Sequence, residues 1–246
     1  MKKSGKAKIF SFFLLILVSL VSFYLFLHSA FFKVDKITIT GLEKVSRDEV
    51  IRLSGLKTGV NIFEIDEQFI PRALLIHPMI KSAVIVRHIP REIEVRVVER
   101  KIWALVPYED SLLCVDDEGV CIDKISTFSL QNYPFITMDT MPARVNLGQA
   151  VNAEAIGMIK KLWDALTPES RKEISDFHFI NKSKEIVLYT SGGTEVRFGG
   201  LERLSEKVGF FNQVFKIEED TKNDGTQVLE YIDLRFKGQP VVKTRV

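Results

Sequence analysis

The side chains that most often carry out catalysis are sparse and scattered in this sequence. Its four histidines lie in no His-Glu-x-x-His pattern, which would bind zinc from one face of a helix. The sequence also lacks a Gly-x-Ser-x-Gly elbow, a phosphate-binding glycine loop and a dinucleotide fingerprint. The glycine pairs 192–193 and 199–200 flank a predicted strand, where turns are expected. We therefore predict no catalytic, cofactor-binding or metal site and no small-molecule substrate.

One acidic run and one cysteine pair have side chains that can bind a metal ion or form a disulfide. The acidic run 116–118 precedes Gly119, a composition typical of a solvated turn. A type I turn with Gly119 as the bulge residue would point the sulfurs of Cys114 and Cys121 to opposite faces of a hairpin. A two-residue loop would instead set the two cysteines opposite each other. The turn residues favour the bulged form, but the sequence does not decide whether Cys114 and Cys121 form a disulfide.

The N-terminal segment predicts a membrane anchor. Residues 9–27 contain no charged side chain, and 19 residues of helix reach about 28 Å, close to the hydrocarbon thickness of a bilayer. A cleaved signal peptide has a shorter apolar region and a small-x-small site, whereas His28 occupies one of those subsites here. All four lysines before the span lie in residues 1–8, so the positive-inside rule places this tail in the cytoplasm. We predict a span over 9–32 and export of everything after it.

The charge balance of the exported part argues against nucleic acid as a partner. The whole chain carries 34 basic and 32 acidic residues, and four of the lysines precede the span. The remainder therefore has a net charge of −2. Affinity for nucleic acid comes mainly from neutralised phosphates, which this surface is not basic enough to provide.

Residues 33–101 predict a small α+β unit in the order strand, helix, helix, strand, strand. Residues 34–41 alternate apolar and polar side chains, and Ser46 with Glu49 forms a capping box that starts a helix. A second helix is expected after Asp66, but because of Pro71 the sequence does not decide at which residue this helix begins. Two strands then follow over 83–88 and 91–100. In the second of these, alternate residues should face the core against Ile37 and Ile39: Ile93, Val95 and Val97.

Residues 102–246 predict a second, β-rich α+β domain. A hairpin is expected over 112–123, and a helix should start at Asn152 and end before Pro168. A second amphipathic helix carries four apolar positions: Leu204, Val208, Phe211 and Phe215. Turns are expected at 191–193, 223–225 and 237–240. The predicted strands cover residues 177–180, 185–190, 194–198, 227–236 and 241–246.

Three stretches of this chain resemble the FtsQ/DivIB family of bacterial cell-division proteins. Residues 34–41 resemble the opening strand of the family's POTRA domain, directly after the membrane. Residues 83–100 resemble its paired strands, with Arg…Pro in the turn and a terminal Glu-Arg. The hexapeptide YIDLRF at 231–236 is similar to the family's YVDLRY. The order of these stretches behind an N-terminal span makes the resemblance specific along nearly the whole chain.

The resemblance implies a division-site scaffold with no catalysis and no cofactor, located in the inner membrane and concentrated at the septum. Its domains would be a tail at 1–8, a span at 9–32, a POTRA domain at 33–101 and an FtsQ-type β domain at 102–246. The implied partners are FtsB/FtsL-like single-span proteins and other divisome components, with one partner adding a β-strand to the last strand. The residues expected to bind it are Tyr231, Phe236, Val241, Val242, Lys243 and Thr244.

The sequence departs from the family pattern at two places. The family's Leu-Pro-Trp-Val before the POTRA hairpin reads His-Pro-Met-Ile at 77–80, where Met79 would fill the gap left by Trp. Gly200 stands where many relatives have a basic residue.

A POTRA-bearing envelope assembly factor would need a large downstream barrel, for which the predicted strands are too few. A membrane-anchored enzyme is the remaining alternative.

Overall fold

The structure, a computed structural model, describes residues 4–126, 133–213 and 228–245. The chain divides into two compact units, Met1–Glu99 and Arg100–Val246. The first unit opens with α1 (Ser4–Leu27), a helix whose section Lys8–Leu27 is long and apolar enough to cross a membrane. In the described part of the chain this is the one helix that meets that test. One such N-terminal helix supports a single-pass membrane anchor.

The rest of the first unit is a three-stranded sheet covered by two helices. Its strand order is β1-β3-β2, in which β3 pairs in parallel with β1 and antiparallel with β2. Two 3₁₀ turns, Ala30–Phe32 and Ile62–Glu64, complete the unit. The bounds are β1 (Lys36–Thr40), α2 (Arg47–Ser54), α3 (Phe69–Leu74), β2 (Ile80–His88) and β3 (Glu92–Glu99). The predicted element order is confirmed.

The core of this unit lies between the sheet and the two helices. Ile93, Val95 and Val97 are buried, and Ile37 and Ile39 pair in register with the first two of them. The predicted core face of β3 is therefore confirmed. Met79 is one of the partly buried apolar residues packed against this cluster, as its position in the Trp gap predicts.

The two predicted helix starts have clear physical causes. The Ser46 hydroxyl accepts a hydrogen bond from the Glu49 N–H at 3.2 Å, and α2 ends at Gly55 in the left-handed conformation that glycine favours. Asp66 accepts from two backbone N–H groups, but α3 begins only at Phe69. Pro71 thus falls in the first turn of α3, where its missing N–H costs nothing.

The last residue of β3, Glu99, holds the loop between β1 and α2. Its carboxylate accepts hydrogen bonds from the backbone N–H groups of Glu43, Lys44 and Val45 at 2.9–3.1 Å. Burial alone would raise the pKa of Glu99, but these three donors lower it more, so the pKa lies below its ordinary value. The glutamate of the terminal Glu-Arg pair therefore has a structural role.

We expect Glu99→Gln to lower the free energy of unfolding of this unit by about 1–3 kcal/mol at neutral pH. The amide retains one acceptor oxygen but turns an N–H₂ donor toward the Lys44 N–H. Because the folded-state pKa is depressed, the stabilisation is present above the unfolded pKa, about 4.3, and is lost as the pH falls further. Urea unfolding of the variant at pH 7 and pH 3.5 measures both effects. The exposed Glu64, changed to Gln, is the control, and equal losses in the two variants would contradict the clamp.

The second unit contains a six-stranded sheet, a three-stranded sheet and several helices. The helix α6 is described over residues 204–213. The other bounds are β4 (Ala104–Tyr108), β5 (Ser111–Val115), β6 (Cys121–Ile125), β7 (Ile136–Met138), α4 (Ala153–Ala165), α5 (Pro168–Lys172), β8 (Ile174–Ile180), β9 (Glu185–Thr190), β10 (Glu195–Gly199), β11 (Val228–Asp233) and β12 (Val241–Arg245). Phe215 and the turn predicted at 223–225 lie outside the described residues.

The large sheet has the order β12-β11-β10-β9-β8-β7. β10 and β11 pair in parallel, which requires a crossover, and α6 lies in that connection. The core contains the inner faces of the sheet, α4 and α6, and its fully buried aromatic residues are Phe177, Phe179, Phe198 and Phe211. Asn152 caps α4 by accepting from the Ala155 N–H at 3.0 Å, as predicted. The α+β fold class holds for both units.

The hairpin around Gly119 is bulged, and its acidic turn differs from the prediction. Asp116 donates its N–H to the Val120 carbonyl at 3.0 Å, which is the register expected for the bulged turn. Cys114 pairs with Asp123 and packs in a different apolar cluster from Cys121. The two cysteines, both within the described part of the chain, form no disulfide with each other.

Asp116 is a correction to the solvated turn predicted for residues 116–118. Its side chain is fully buried and forms an ion pair with Arg100, which also contacts Glu118 at 2.8 Å. The same carboxylate accepts from the N–H groups of Glu118 and Val120. A guanidinium and two backbone donors compensate the cost of burying this charge. Arg100, the second residue of the Glu-Arg pair, thereby supports the hairpin turn.

Candidate partner-binding edge

The C-terminal strand β12 lies at one edge of the six-stranded sheet. Among the described residues it pairs with β11 alone, through Asp233–Val241, Ile232–Val242 and Tyr231–Lys243. A strand with one neighbour has a row of N–H and C=O groups directed away from the sheet. The sequence prediction of a terminal edge strand is confirmed as a topology.

Both faces of β12 are open. Val242 lies on the same face as Ile232, which belongs to the core and is almost completely buried, yet Val242 is 43% exposed. Thr244 is exposed on that face as well. The apolar side of the sheet therefore includes exposed positions on β12. Val241 and Lys243, on the other face, are also exposed.

Tyr231 lies on β11 between two cations on that outer face. The Arg197 guanidinium lies 4.1 Å from the centre of its ring, and the Lys243 ammonium lies at 5.7 Å. Lys243 also pairs with Glu230 at 3.0 Å. Arginine and lysine over a tyrosine ring are attracted by its quadrupole, so these contacts fix the ring in place. Tyr231 thus contacts β12 from the neighbouring strand, and its predicted part in partner binding stays a prediction.

Phe236 does not lie on a strand, which corrects the predicted strand over 227–236. β11 ends at Asp233, because the Asp233 carboxylate accepts from the Arg235 N–H at 3.0 Å and turns the chain. Phe236 therefore lies in the connection between β11 and β12, where its ring is exposed. The Arg235 guanidinium stands 5.7 Å from the centre of this ring.

Asp233 and Arg235 form a bidentate ion pair at the end of β11. The guanidinium donates to both carboxylate oxygens at 2.6–3.2 Å, and this contact lowers the pKa of Asp233 below its ordinary value. The Arg235 side chain packs on Gly199, which has φ +76°. A Cβ at Gly199 would stand 2.8 Å from the Arg235 Cγ, so this position needs glycine on both counts.

Two cations that the sequence reasoning missed hold the loops beside this edge. Arg203 donates to the carbonyls of Arg235 and Phe236, both at 3.0 Å. Lys207 is fully buried and donates to the Phe198 and Gly200 carbonyls and to Glu202 at 2.7–3.0 Å.

A sequence signal for Lys207 existed, because it follows Leu204 by three residues on the apolar face of α6. Gly200, the family's frequently basic position, here provides a carbonyl to Lys207, and a Cβ at this position would meet the carboxylate end of the exposed Glu202 side chain.

The described histidines make structural contacts. His77 accepts from the Met79 N–H at 3.2 Å, His88 pairs with Glu94 at 2.8 Å, and His178 contacts Thr137 at 2.8 Å. Within residues 4–126, 133–213 and 228–245 no group of three or more histidine, cysteine, aspartate or glutamate side chains could hold a metal ion.

Two family models match nearly all of the chain after α1. Residues 32–100 match the POTRA domain of the FtsQ type, and residues 104–235 match the C-terminal domain of cell division protein FtsQ/DivIB. The second match alone covers more than half of the 246 residues. The chain belongs to the FtsQ/DivIB family. Membership in this family supports a role in the bacterial divisome and in its protein interactions.

Similar FtsQ and DivIB proteins come from distant bacteria. Cell division protein FtsQ of Geobacter sp. is 26% identical over 218 residues, which cover 86% of this chain and 76% of that protein. FtsQ of Myxococcus fulvus is 25% identical over 176 residues (68% and 59%), and DivIB of Staphylococcus aureus is 25% identical over 213 residues (85% and 46%). The chain thus spans less than two thirds of the length of the last two proteins.

The FtsQ/DivIB match ends at Arg235, six residues before β12 begins. The matched part includes the ion pair of Asp233 with Arg235 and the glycine beneath it. In this family member, the hexapeptide at 231–236 therefore fixes the turn that leads into the edge strand.

Proposed function

We propose that this FtsQ/DivIB protein is a non-enzymatic scaffold of the divisome that binds an FtsB/FtsL-like single-span protein by strand addition to β12. The observation that carries the proposal is a strand with one described neighbour and exposed side chains on both faces. Backbone groups of an edge strand provide affinity for an added strand, and side chains on alternate positions provide selectivity. Tyr231, Val241, Val242, Lys243 and Thr244 form this docking strand and its support, and Phe236 borders it.

The apolar face beside β12 supports the proposal. Val242 lies on the core face and is exposed, so a partner strand could extend the core and bury Val242. Lys243 is a charged side chain on this edge strand, of the kind that opposes pairing between edge strands of two copies of the same chain. The edge is thus suited to a partner of complementary sequence.

Co-purification of the intact protein from membranes of its own organism tests the scaffold function. We expect small single-span division proteins to elute with it. The proposed scaffold function involves no turnover of a substrate. Recovery of the protein without any divisome component would contradict it. The two proposed domains, 33–101 and 102–246, can then be produced separately, and each can be tested for binding of the co-purified protein.

We propose that residues 1–8 are cytoplasmic and that residues 33–246 lie outside the cytoplasm. The four lysines before α1 support this orientation. A reporter that fluoresces only in the cytoplasm, fused after Val246, is expected to stay dark, and the same reporter fused before Met1 should fluoresce. A bright C-terminal fusion would reverse the orientation.

A further inference from the structure

The end of α1 and the start of the POTRA domain share one aromatic cluster. Phe26 is in the last turn of α1, and its ring lies 5.9 Å from that of Phe31 and 5.2 Å from that of Phe32. The ring of Phe63, from the second 3₁₀ turn, lies 5.1 Å from that of Phe32. Side chains from the span and from the domain are therefore in direct contact.

Asn61 joins the same two parts by hydrogen bonds. Its side-chain N–H₂ donates to the carbonyl of Leu27, the last residue of α1, at 2.7 Å. Its side-chain oxygen accepts from the Phe63 N–H at 2.9 Å, and its backbone forms a bridge with Lys33. Helix-end carbonyls have no partner within the helix, so this donor satisfies one of them. The domain is thus fixed to the span by more than the connecting chain.

Four exposed apolar side chains surround this joint, and we refer to them as the collar: Phe31, Val60, Phe63 and Ile89. They are between 37% and 61% exposed. Ile89 is in the turn between β2 and β3, next to Arg91, which donates to the Lys33 carbonyl and accepts from the Asp35 N–H. The collar residues thus come from three separate segments that meet where α1 ends. An exposed apolar patch of this kind marks an interaction surface.

The position of the collar identifies its partner. Phe26 is within the stretch that spans the membrane, and the interfacial zone beyond the hydrocarbon is about 5–7 Å thick on each side. Phe31 contacts Phe26 directly, and Phe63 is separated from Phe26 by a single ring. The Phe31 ring is thus within the thickness of the interfacial zone, and the Phe63 ring, at most about 10 Å from the Phe26 ring, reaches the outer boundary of that zone. Lys33 and Arg91, at the rim, place cations at the level of the headgroups, and Arg91 also pairs with Asp35 at 3.2 Å.

We propose that the collar inserts into the interfacial zone of the membrane that α1 crosses, and that Asn61 fixes the tilt of the POTRA domain against the span. The partner is the lipid bilayer itself. This inference rests on the membrane anchor of the proposed function but not on the partner at β12. The POTRA domain would then have one orientation relative to the membrane plane instead of moving freely on a linker.

Tryptophan quenching by brominated lipids in nanodiscs tests the insertion on the full chain. Phe31→Trp and Phe63→Trp place probes in the collar, and Leu17→Trp places one in the middle of the span. Ile76→Trp is the matched control, because Ile76 is exposed but precedes Ile80, which pairs with the far end of β3 at Glu99. The parent protein, with Trp103 and Trp163 in the second unit, gives the baseline.

We expect loss of emission at the collar and span probes and none above the baseline at Ile76. The collar probes should respond most to bromines near the headgroup, and the Leu17 probe to bromines deep in the acyl chain. Quenching at Leu17 with collar probes at the baseline would overturn the insertion while leaving the anchor intact. An unquenched Leu17 probe would overturn the anchor and the inference with it.

Asn61→Asp, combined with each collar probe, tests the joint. The carboxylate keeps the acceptor for the Phe63 N–H but loses the donor to Leu27. We expect the Phe63 probe to lose its quenching while the Phe31 probe, four residues from the helix end, keeps it. Circular dichroism must match the parent to show that the domain remains folded. Unchanged quenching at Phe63 in a folded variant would overturn the role of Asn61.

Discussion

Val95→Asp is expected to cost the POTRA domain about 3–5 kcal/mol of its free energy of unfolding. Val95 is fully buried on the central strand β3, in register with Ile39 on one side and Ile85 on the other. A carboxylate at this position would be buried without a cation beside it, which is among the most destabilising single changes known. A domain of about 70 residues rarely has more stability than this to lose.

The measurement separates the two units of the chain. Trp103 and Trp163, the two tryptophans of the sequence, both belong to the second unit, so their fluorescence follows that unit alone. Far-UV circular dichroism of a 33–246 fragment should show early loss of structure in the variant while the fluorescence transition stays in place. A purified 33–100 fragment should fold alone, and its Val95→Asp form should not.

Val98→Asp is the matched control on the same strand. Val98 points to the other face of β3 and is 53% exposed, so its aspartate stays in water. We expect a change within about 0.5 kcal/mol. Similar destabilisation by both substitutions would show that the assigned core face is wrong.

Val242→Pro is expected to abolish capture of the FtsB/FtsL-like partner by the soluble 33–246 fragment. Proline removes one N–H and restrains the backbone, so the ladder of hydrogen bonds to a strand added at β12 is interrupted. One lost hydrogen bond and the disturbed strand direction should weaken binding about tenfold or more. Val242→Thr keeps the β-branched side chain and the N–H, and it should bind almost as well as the parent.

Lys243→Pro completes this test, because successive N–H groups of a strand point to opposite sides. One of the two proline variants removes a bond to β11, and the other removes a donor directed outward. Both should lose the partner, but the outward variant should unfold at the parent's temperature. Capture by both variants, folded by circular dichroism, would show that the partner docks elsewhere.

The sequence predicted best what depends on neighbouring residues. Alternation over residues 92–97 fixed the buried face of β3, and the caps at Ser46 and Asn152 located two helix starts. These signals are local, since each depends on side chains within a few positions. The edge strand, by contrast, was predicted from the resemblance to the family, and β12 lies at the edge of the large sheet.

Two of the errors come from contacts between residues well separated in the sequence, and the third comes from a local hydrogen bond between a side chain and the backbone. Asp116 is buried because Arg100, sixteen residues earlier, provides its counter-charge, and no local pattern shows that pairing. Lys207 is buried because loop carbonyls of Phe198 and Gly200 surround its ammonium. At Phe236 the β-branched and aromatic composition favoured a strand, but the Asp233 side chain ended it earlier by accepting a backbone N–H.

The one-sided pairing of β12 also determines how its backbone amides exchange with deuterated water. In the free protein, every second amide of Val241–Arg245 is bonded to β11 and the amides between them face outward. Slow and fast exchange should therefore alternate along these five residues. An added strand would slow the fast set and leave the slow set nearly unchanged. The deuterium uptake of one short peptide would then report the fraction of the protein that has a partner strand bound.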